Sequence, residues 1–527
     1  MTLLVTSIVA DNVEAMKARA LQAIEEGSDA VELRLDALKD QENVIAGLAE
    51  ALPSARWVAT CRPVGEGGFY RGSVEHRVRR LLSVGPPDEG FIDFEFADWQ
   101  RSPAARHDLF GSAASVGGDH RRPTEPDAAR PSLILSYHDF ERRPVDLPDL
   151  VDRMCAVQEA TAIKIVWPAD GICANFDALD IMHSSPKPAI AICMGEVGLI
   201  SRVLASKCGA FATYCAFDAA SETAPGQLTL AEMKGLYRWD KIDESSQVYG
   251  VIGHPVAHSL SPILFNDAFA AGRVDGVYLP LLVEPTYEAF AAFLDGWLER
   301  PWLDARGFSV TLPHKVNAIR YLGDRVDPPA DRIGAVNTLV IDDGEVWGCN
   351  TDWSAAIDTL TAGMGCGWED LDGVPVDVLG AGGVARAVLA GLSECGCAVT
   401  VFNRTPDTGR SLAEAFDCTF KPWDERVSAC GKILINCTNV GMWPDVDDSP
   451  MPADALRSDT VVFDTVYSPV QTRLLNEAAG VGCRTISGLD MFLRQAAAQF
   501  EYWTQQSADL SRMSTVVQAA MQANDSR

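Results

Sequence analysis

Along the first half of the chain, short apolar runs alternate with stretches that carry a helical pattern. Up to about residue 233 the runs are LLVTSIV, AVELRLD, WVATCR, FIDFEF, SLILSYHD, TAIKIVW, PAIAICM and AFATYCAF. Eight such runs, each followed by a helix-like segment, predict a (β/α)8 barrel over residues 1–235. One stretch, from about Gln100 to Arg130, breaks the rhythm with Ser, Gly, Pro, Arg and Asp. It is expected to be an exposed excursion. The polar sequence GLYRWDKIDESSQ follows, and residues 236–248 are expected to be linker. From 249 to 527 strands and helices alternate again, in two expected α/β lobes: 249–353 with 485–520, and 370–484.

Composition narrows the class. The 527 residues are 47% hydrophobic and 22% charged, the balance of a folded chain of several domains. With 44 basic and 73 acidic side chains the net charge is −29, which argues against nucleic acid as a partner. The 14 cysteines show no paired framework and fit a reducing compartment. MTLLVTSIVA lacks a basic flank and is read as a first strand, and no run reaches the ~20 apolar residues of a membrane span. The expected location is the cytoplasm.

Chemistry concentrates at two places. In AVELRLD, Glu32, Arg34 and Asp36 recur at every second position, so a strand would aim all three into the barrel. Inward charges are costly unless they pair or bind something, and a structural ion-pair layer is the plainer alternative. ATCRPVGEGG adds Arg62 and Glu66. His138 in LSYHDF and Lys164 in AIKIVWP are read as ending two later strands, where barrel catalytic groups sit. Burial near arginines favours an uncharged Lys164 amine, able to attack a ketone. The resulting iminium acidifies the adjacent C–H, and His138 can take that proton and later assist a leaving hydroxyl. Dehydration of a β-hydroxy ketone fits this set.

With MGEVGLISR and APGQ, these motifs resemble type I 3-dehydroquinate dehydratase over about residues 1–233. The resemblance implies that Lys164 forms a Schiff base, His138 is the general acid/base and Glu66 orients it. It implies that Glu32, Arg34, Arg62, Arg202, Thr223 and Gln227 hold the substrate, with Arg202 suited to its carboxylate. Thr223 stands where the family commonly has Ser, which keeps the hydroxyl.

In the second half, VPVDVLGAGGVARAVLAGL reads as strand, glycine turn and helix. Gly380, Gly382 and Ala385 fit the dinucleotide fingerprint, with the pyrophosphate at the helix N-terminus. The next strand ends in Asn403, Arg404 and Thr405, and an arginine there favours NADP over NAD. Ser259 and Ser261 could grip a carboxylate, although serines before a helix are often only caps. GFSVTLPHK supplies Lys315, GAVNT Asn337 and GCNTDW Asp352; a lysine with an aspartate suits proton donation to a ketone.

Together with NCTNVGM, DTVYSPVQTRLL and GLDMFLRQA, these residues resemble shikimate dehydrogenase from about Tyr249 to Ala508. The resemblance implies catalysis by Lys315 and Asp352. It implies substrate contacts from Ser259, Ser261, Thr311, Asn337, Tyr467 and Gln495, with Thr338 a further candidate. Gly380, Ala381, Gly382, Gly383, Asn403, Arg404, Thr405, Met442 and Gly488 fall to the nucleotide. Ser309 replaces the usual Asn before VT and is expected only to shape its loop.

The reading is a bifunctional shikimate-pathway enzyme: lyase first, NADP-dependent oxidoreductase second. Its expected partners are 3-dehydroquinate, 3-dehydroshikimate and shikimate, with no metal, no nucleic acid, no membrane and the oligomeric state open. A second half acting on quinate, or using NAD, is the nearest alternative. A metabolite-sensing regulator would lack catalytic groups, and here Lys164, His138, Lys315 and Asp352 are all present.

Overall fold

All eight apolar runs of the first half become parallel strands in the computed structural model, which describes residues 2–39, 45, 48, 52, 56–84, 90–110, 132–257, 259–429 and 431–525. They are β1 (Leu3–Ile8), β2 (Ala30–Arg34), β3 (Arg56–Thr60), β4 (Phe91–Glu95), β5 (Ser132–His138), β6 (Ala160–Pro168), β7 (Ala189–Met194) and β8 (Ala212–Ala216). Neighbours pair in the order β7-β6-β5-β4-β3-β2-β1-β8. Between β7 and β8, Phe211 N–H donates to Ala189 O at 2.8 Å. The barrel is thus near-closed. Leu3, Val5, Ala30, Val58, Ile134, Ala162 and Ile190 fill part of its interior, as the alternation of inward and outward positions requires.

Three expectations change here. Strand β2 stops at Arg34, and Leu35–Ala37 form a 3₁₀ turn, so Asp36 leaves the strand face. Lys164 does not end its strand but lies within β6, opposite Ser136 on β5 and Ile190 on β7. The 100–130 excursion begins with helices, Phe96–Arg101 and Pro103–Phe110; its later part lies outside the described residues.

The chain divides into two compact units, Met1–Gln247 with Asp295–Asp304, and Val248–Leu294 with Ala305–Arg527. Residues 236–247 therefore belong to the first unit and are packed against it: Tyr237, Trp239 and Ile242 are buried. The sequence GLYRWDKIDESSQ looks polar only because its apolar residues are spaced by charges. Asp295–Asp304, expected in the second half, also belongs to the first unit. Arg300 donates to both carboxylate oxygens of Asp180 at 2.8 and 2.7 Å, and Trp302 stacks on His183 at 3.9 Å.

In the second unit one sheet has the order β10-β9-β11-β12-β13, built from β9 (Gln247–Gly253), β10 (Gly276–Leu282), β11 (Ala305–Val310), β12 (Thr338–Asp342) and β13 (Glu345–Cys349). The helix Gly488–Thr504 packs on it through Leu489, Leu493, Ala496 and Phe500, against Tyr249, Phe265 and Phe269. The other sheet is wholly parallel, in the order β16-β15-β14-β17-β18-β19. Its strands are β14 (Pro375–Leu379), β15 (Ala398–Asn403), β16 (Thr419–Pro422), β17 (Ile433–Asn436), β18 (Val461–Asp464) and β19 (Arg484–Ser487). The order reverses between β14 and β17, the switch point at which dinucleotide folds bind their ligands.

Candidate active sites

The barrel site begins with β6. Lys164 is 5% exposed, its Nζ 3.1 Å from Asp93 Oδ2 on β4 and 3.8 Å from Glu32 Oε1 on β2. The ring of Tyr214 on β8 lies 3.8 Å from the same nitrogen. The nearest charge is thus a carboxylate, where the sequence suggested arginines. Burial opposes a charge on Asp93, but Arg62 and Lys164 outweigh it and hold the carboxyl far below the ordinary range. Arg62 spans the layer, donating to Asp93, Glu95 and Ser136 at 2.8–2.9 Å. Glu32 accepts from Ser7 and Thr60, and Arg34 makes a two-point pair with Asp36.

His138 closes β5. Its N–H donates to Glu66 Oε2 at 3.1 Å, and its Nδ1 lies 3.3 Å from the same oxygen. A proton on Nδ1 satisfies that contact and leaves the Nε2 lone pair available as a base. Burial, then Arg62 and Lys164, keep the imidazole neutral well below its usual range. Burial, with Glu95 beside it, pushes Glu66 up to about 8.

One cavity collects these groups: Glu32, Arg34, Arg62, Glu66, His138, Lys164, Arg202, Thr223 and Gln227 all line it. Every barrel site residue expected from the sequence is in that lining. Arg202 is distinctive. It is 2% exposed, its Nε and Nη2 find no hydrogen-bond partner among the described residues, and burial lowers it to about 10. A buried cation with unspent donors is costly unless an anion completes it. Thr223 Oγ1 donates to Gln227 Oε1 at 3.0 Å in the same lining.

Asp93, Glu95, Ser136 and Tyr214 were missed as site residues. Asp93 and Glu95 repeat in FIDFEF the every-second-residue signal that exposed Glu32 and Arg34. Tyr214 sits in an apolar run and gives no such signal.

In the second unit, Lys315 opens the helix Lys315–Leu322 and Asp352 opens Asp352–Met364. Their side chains meet at 2.6 Å and are largely buried. Asn337 sits before β12; its Oδ1 accepts from Thr351 N at 2.8 Å, and Thr351 Oγ1 donates to the Gln495 carbonyl at 3.1 Å. The sequence reading used only the aspartate of NTD; Thr351 is the link it overlooked. Tyr467 stacks on Phe492 at 4.6 Å, one turn before Gln495. Ser259 Oγ accepts from Ser261 N at 3.3 Å, at the start of Ser261–Gly272. Thr311 follows β11, its N–H bonded to Ile252 O.

The glycine turn lies between β14 and the helix Gly383–Glu394. Gly380 has φ +102°, and a Cβ there would meet Thr438 at 2.9 Å. Around Gly382 nothing would meet an added Cβ within 4 Å, and at Gly383 the nearest atom would be Lys315 Cδ at 3.9 Å. Open space at a 12-residue helix N-terminus suits a pyrophosphate. Ala381 lies in that turn. Asn403 bonds the Thr405 carbonyl at 2.8 Å and leaves Arg404 exposed beyond β15, the position where a guanidinium reaches a 2′-phosphate. Met442 is exposed, whereas Gly488 is a packing glycine: its Cβ would strike Thr465 O at 2.4 Å.

Three sequence families match the chain. That described as Type I 3-dehydroquinase matches residues 4–244, Shikimate dehydrogenase substrate binding domain matches 251–339, and Shikimate 5′-dehydrogenase C-terminal domain matches 488–518. The chain is 34% identical over 525 residues to the chloroplastic bifunctional 3-dehydroquinate dehydratase/shikimate dehydrogenase of Arabidopsis thaliana, covering 95% of this chain and 82% of that one. It is 41% identical over 296 residues to the shikimate dehydrogenase (NADP(+)) of Moorella thermoacetica, 54% of this chain and 97% of that one. A solved shikimate dehydrogenase in complex with NADP+ is 35% identical, with a TM-score of 0.49 over 53% of this chain and 97% of that one.

Proposed function

The chain belongs to the bifunctional 3-dehydroquinate dehydratase/shikimate dehydrogenase family, and from that premise we propose how its side chains divide two consecutive reactions of the shikimate pathway. The observation that carries the reading is that one chain brings Lys164, His138 and Glu66 to one cavity in the barrel and pairs Lys315 with Asp352 in the second unit.

In the barrel, Lys164 Nζ attacks the ketone of 3-dehydroquinate, and the carbonyl oxygen leaves as water to give an iminium. His138 Nε2 takes the proton from the adjacent carbon. The electron pair then expels the β-hydroxyl, which departs as water with the proton His138 returns. Hydrolysis of the iminium restores Lys164 and releases 3-dehydroshikimate. The unspent donors of Arg202 take the substrate carboxylate, while Thr223, Gln227, Glu32, Arg34 and Arg62 fix its oxygens. Glu66 holds the histidine tautomer.

In the second unit, Ser259 and Ser261 grip the carboxylate, and Thr311, Asn337, Tyr467 and Gln495 orient the ring. Lys315 delivers the proton to the ketone oxygen, and Asp352 holds that ammonium in place. NADPH, when bound, supplies the hydride. The turn Gly380–Gly383 would hold its pyrophosphate, Asn403, Arg404 and Thr405 its adenosine phosphate, and Met442 its nicotinamide end. The substrates are small anions. A charge of −29 sets the chain against nucleic acid, and no helix of the described residues is long and apolar enough to cross a membrane; the cytoplasm is the proposed location.

The test is a coupled assay on the intact chain given 3-dehydroquinate and NADPH. A brief enone absorbance followed by loss of NADPH is expected. Enone accumulation with NADPH unchanged would remove the second half of the proposal.

A further inference from the structure

Ser309, which replaces the usual Asn of the second family, is far from a bare loop residue. It is 7% exposed at the end of β11, and its hydroxyl joins two buried partners: Tyr278 Oη at 2.6 Å and Gln499 Oε1 at 2.7 Å. Gln499, on the helix Gly488–Thr504, donates from Nε2 to Asn337 O at 3.1 Å and to Thr338 Oγ1 at 3.0 Å. Thr338 Oγ1 lies 2.7 Å from Asn337 Oδ1.

The donor inventory gives this chain one direction. Two backbone and side-chain acceptors claim the Gln499 amide hydrogens, so its oxygen must receive the Ser309 hydrogen. Ser309 must then accept from Tyr278. Thr338 accepts from Gln499 and gives its own hydrogen to Asn337 Oδ1. That oxygen also takes Thr351 N–H at 2.8 Å, and Asn337 Nδ2 spends one hydrogen on Thr351 Oγ1 at 3.0 Å. One Nδ2 hydrogen remains. The amide of Asn337 is therefore held with its nitrogen, not its oxygen, free to face a ligand.

We propose that Ser309, Tyr278 and Gln499 form a positioning relay that fixes Asn337 as a hydrogen-bond donor to a substrate ring oxygen. The inference rests on the dehydrogenase reading above. Tyr278, Ser309, Gln499, Thr338 and Asn337 are all more than nine-tenths buried, so no water is at hand to replace a lost link, and an interrupted relay lets the Asn337 amide turn over.

The experiment is steady-state kinetics of 3-dehydroshikimate reduction by the full chain, with NADPH binding followed separately by fluorescence. Ser309→Ala is expected to raise KM for 3-dehydroshikimate about tenfold with kcat within about threefold of wild type and NADPH affinity unchanged. Tyr278→Phe leaves Ser309 donating to Gln499 and should raise KM only about two- to threefold. Ser309→Asn restores a donor and an acceptor and should recover most of the loss. An unchanged KM in Ser309→Ala overturns the relay, as does a parallel fall in kcat and NADPH affinity, or an Asn variant no better than Ala. A wild-type chain that oxidises no NADPH with 3-dehydroshikimate defeats the dehydrogenase reading itself, which is a distinct result.

Discussion

The two sites solve different electrostatic problems. The barrel interior holds a cage of formal charges, Glu32, Arg34, Arg62, Asp93, Glu95 and Lys164, all 6% exposed or less. Among the described residues, the second site has one ion pair, Lys315–Asp352, and is otherwise a web of hydroxyls and amides running from Tyr278 to Thr351. Covalent chemistry needs a lysine whose protonation and direction are set by charged neighbours that water cannot screen. Transfer to a ketone from a separately bound reductant needs mainly orientation, for which neutral hydrogen bonds with fixed directions serve well.

Replacing Lys164 separates the two regimes most sharply. Lys164→Ala should lower dehydration by on the order of 10⁴-fold or more, as other nucleophile deletions do, and abolish borohydride trapping with 3-dehydroquinate. Reduction of 3-dehydroshikimate by the same chain should be untouched; trapping that persists in the variant would refute the Schiff base. The mirror experiment, Lys315→Ala, should cut kcat for ketone reduction by about 10²- to 10⁴-fold while dehydration continues.

Arg202 sharpens the contrast, because it sets function against stability. Arg202→Met should raise KM for 3-dehydroquinate by about one to two orders of magnitude, the loss of a charge-assisted contact. The same change removes an unpaired buried cation, so the ligand-free protein should be stabilised, by about 1–4 kcal/mol. Urea titration of both forms measures it, and a destabilised variant would mean that Arg202 has a protein partner after all.

The last contrast concerns pH. Glu66 rises from an ordinary 4.5 to about 8 in the folded state. A carboxyl raised on folding favours the native state fully below its unfolded value and loses that contribution as pH climbs to the folded value. Glu66→Gln should therefore gain on wild type between about pH 4.5 and 8, by at most about 1.4 kcal/mol per pH unit, and no further above. A gap that is flat over that window would place Glu66 in an ordinary environment.

The barrel was legible because each strand is an apolar run, and β2 and β4 add charged residues at every second position. Where the signal was read too far it misled: spacing alone carried Asp36 onto β2, although the strand had already turned at Leu35. Lys164 was placed at a strand end because catalytic groups usually sit there, yet β6 continues to Pro168. In the second unit the motif residues were readable, but Tyr278 and Gln499 were not. They lie 31 and 190 positions from Ser309, each in a run that looks like plain core, and only the fold brings their polar ends together.

Asp295–Asp304 gives the gene a property that its two enzyme names conceal. A fragment ending at codon 247 would encode every barrel strand and still omit the arginine that clasps Asp180 and the tryptophan that covers His183. Recombination could not part the two coding regions at a single joint without leaving one of them short. The fusion is interleaved, and its reversal would need two cuts or a compensating surface.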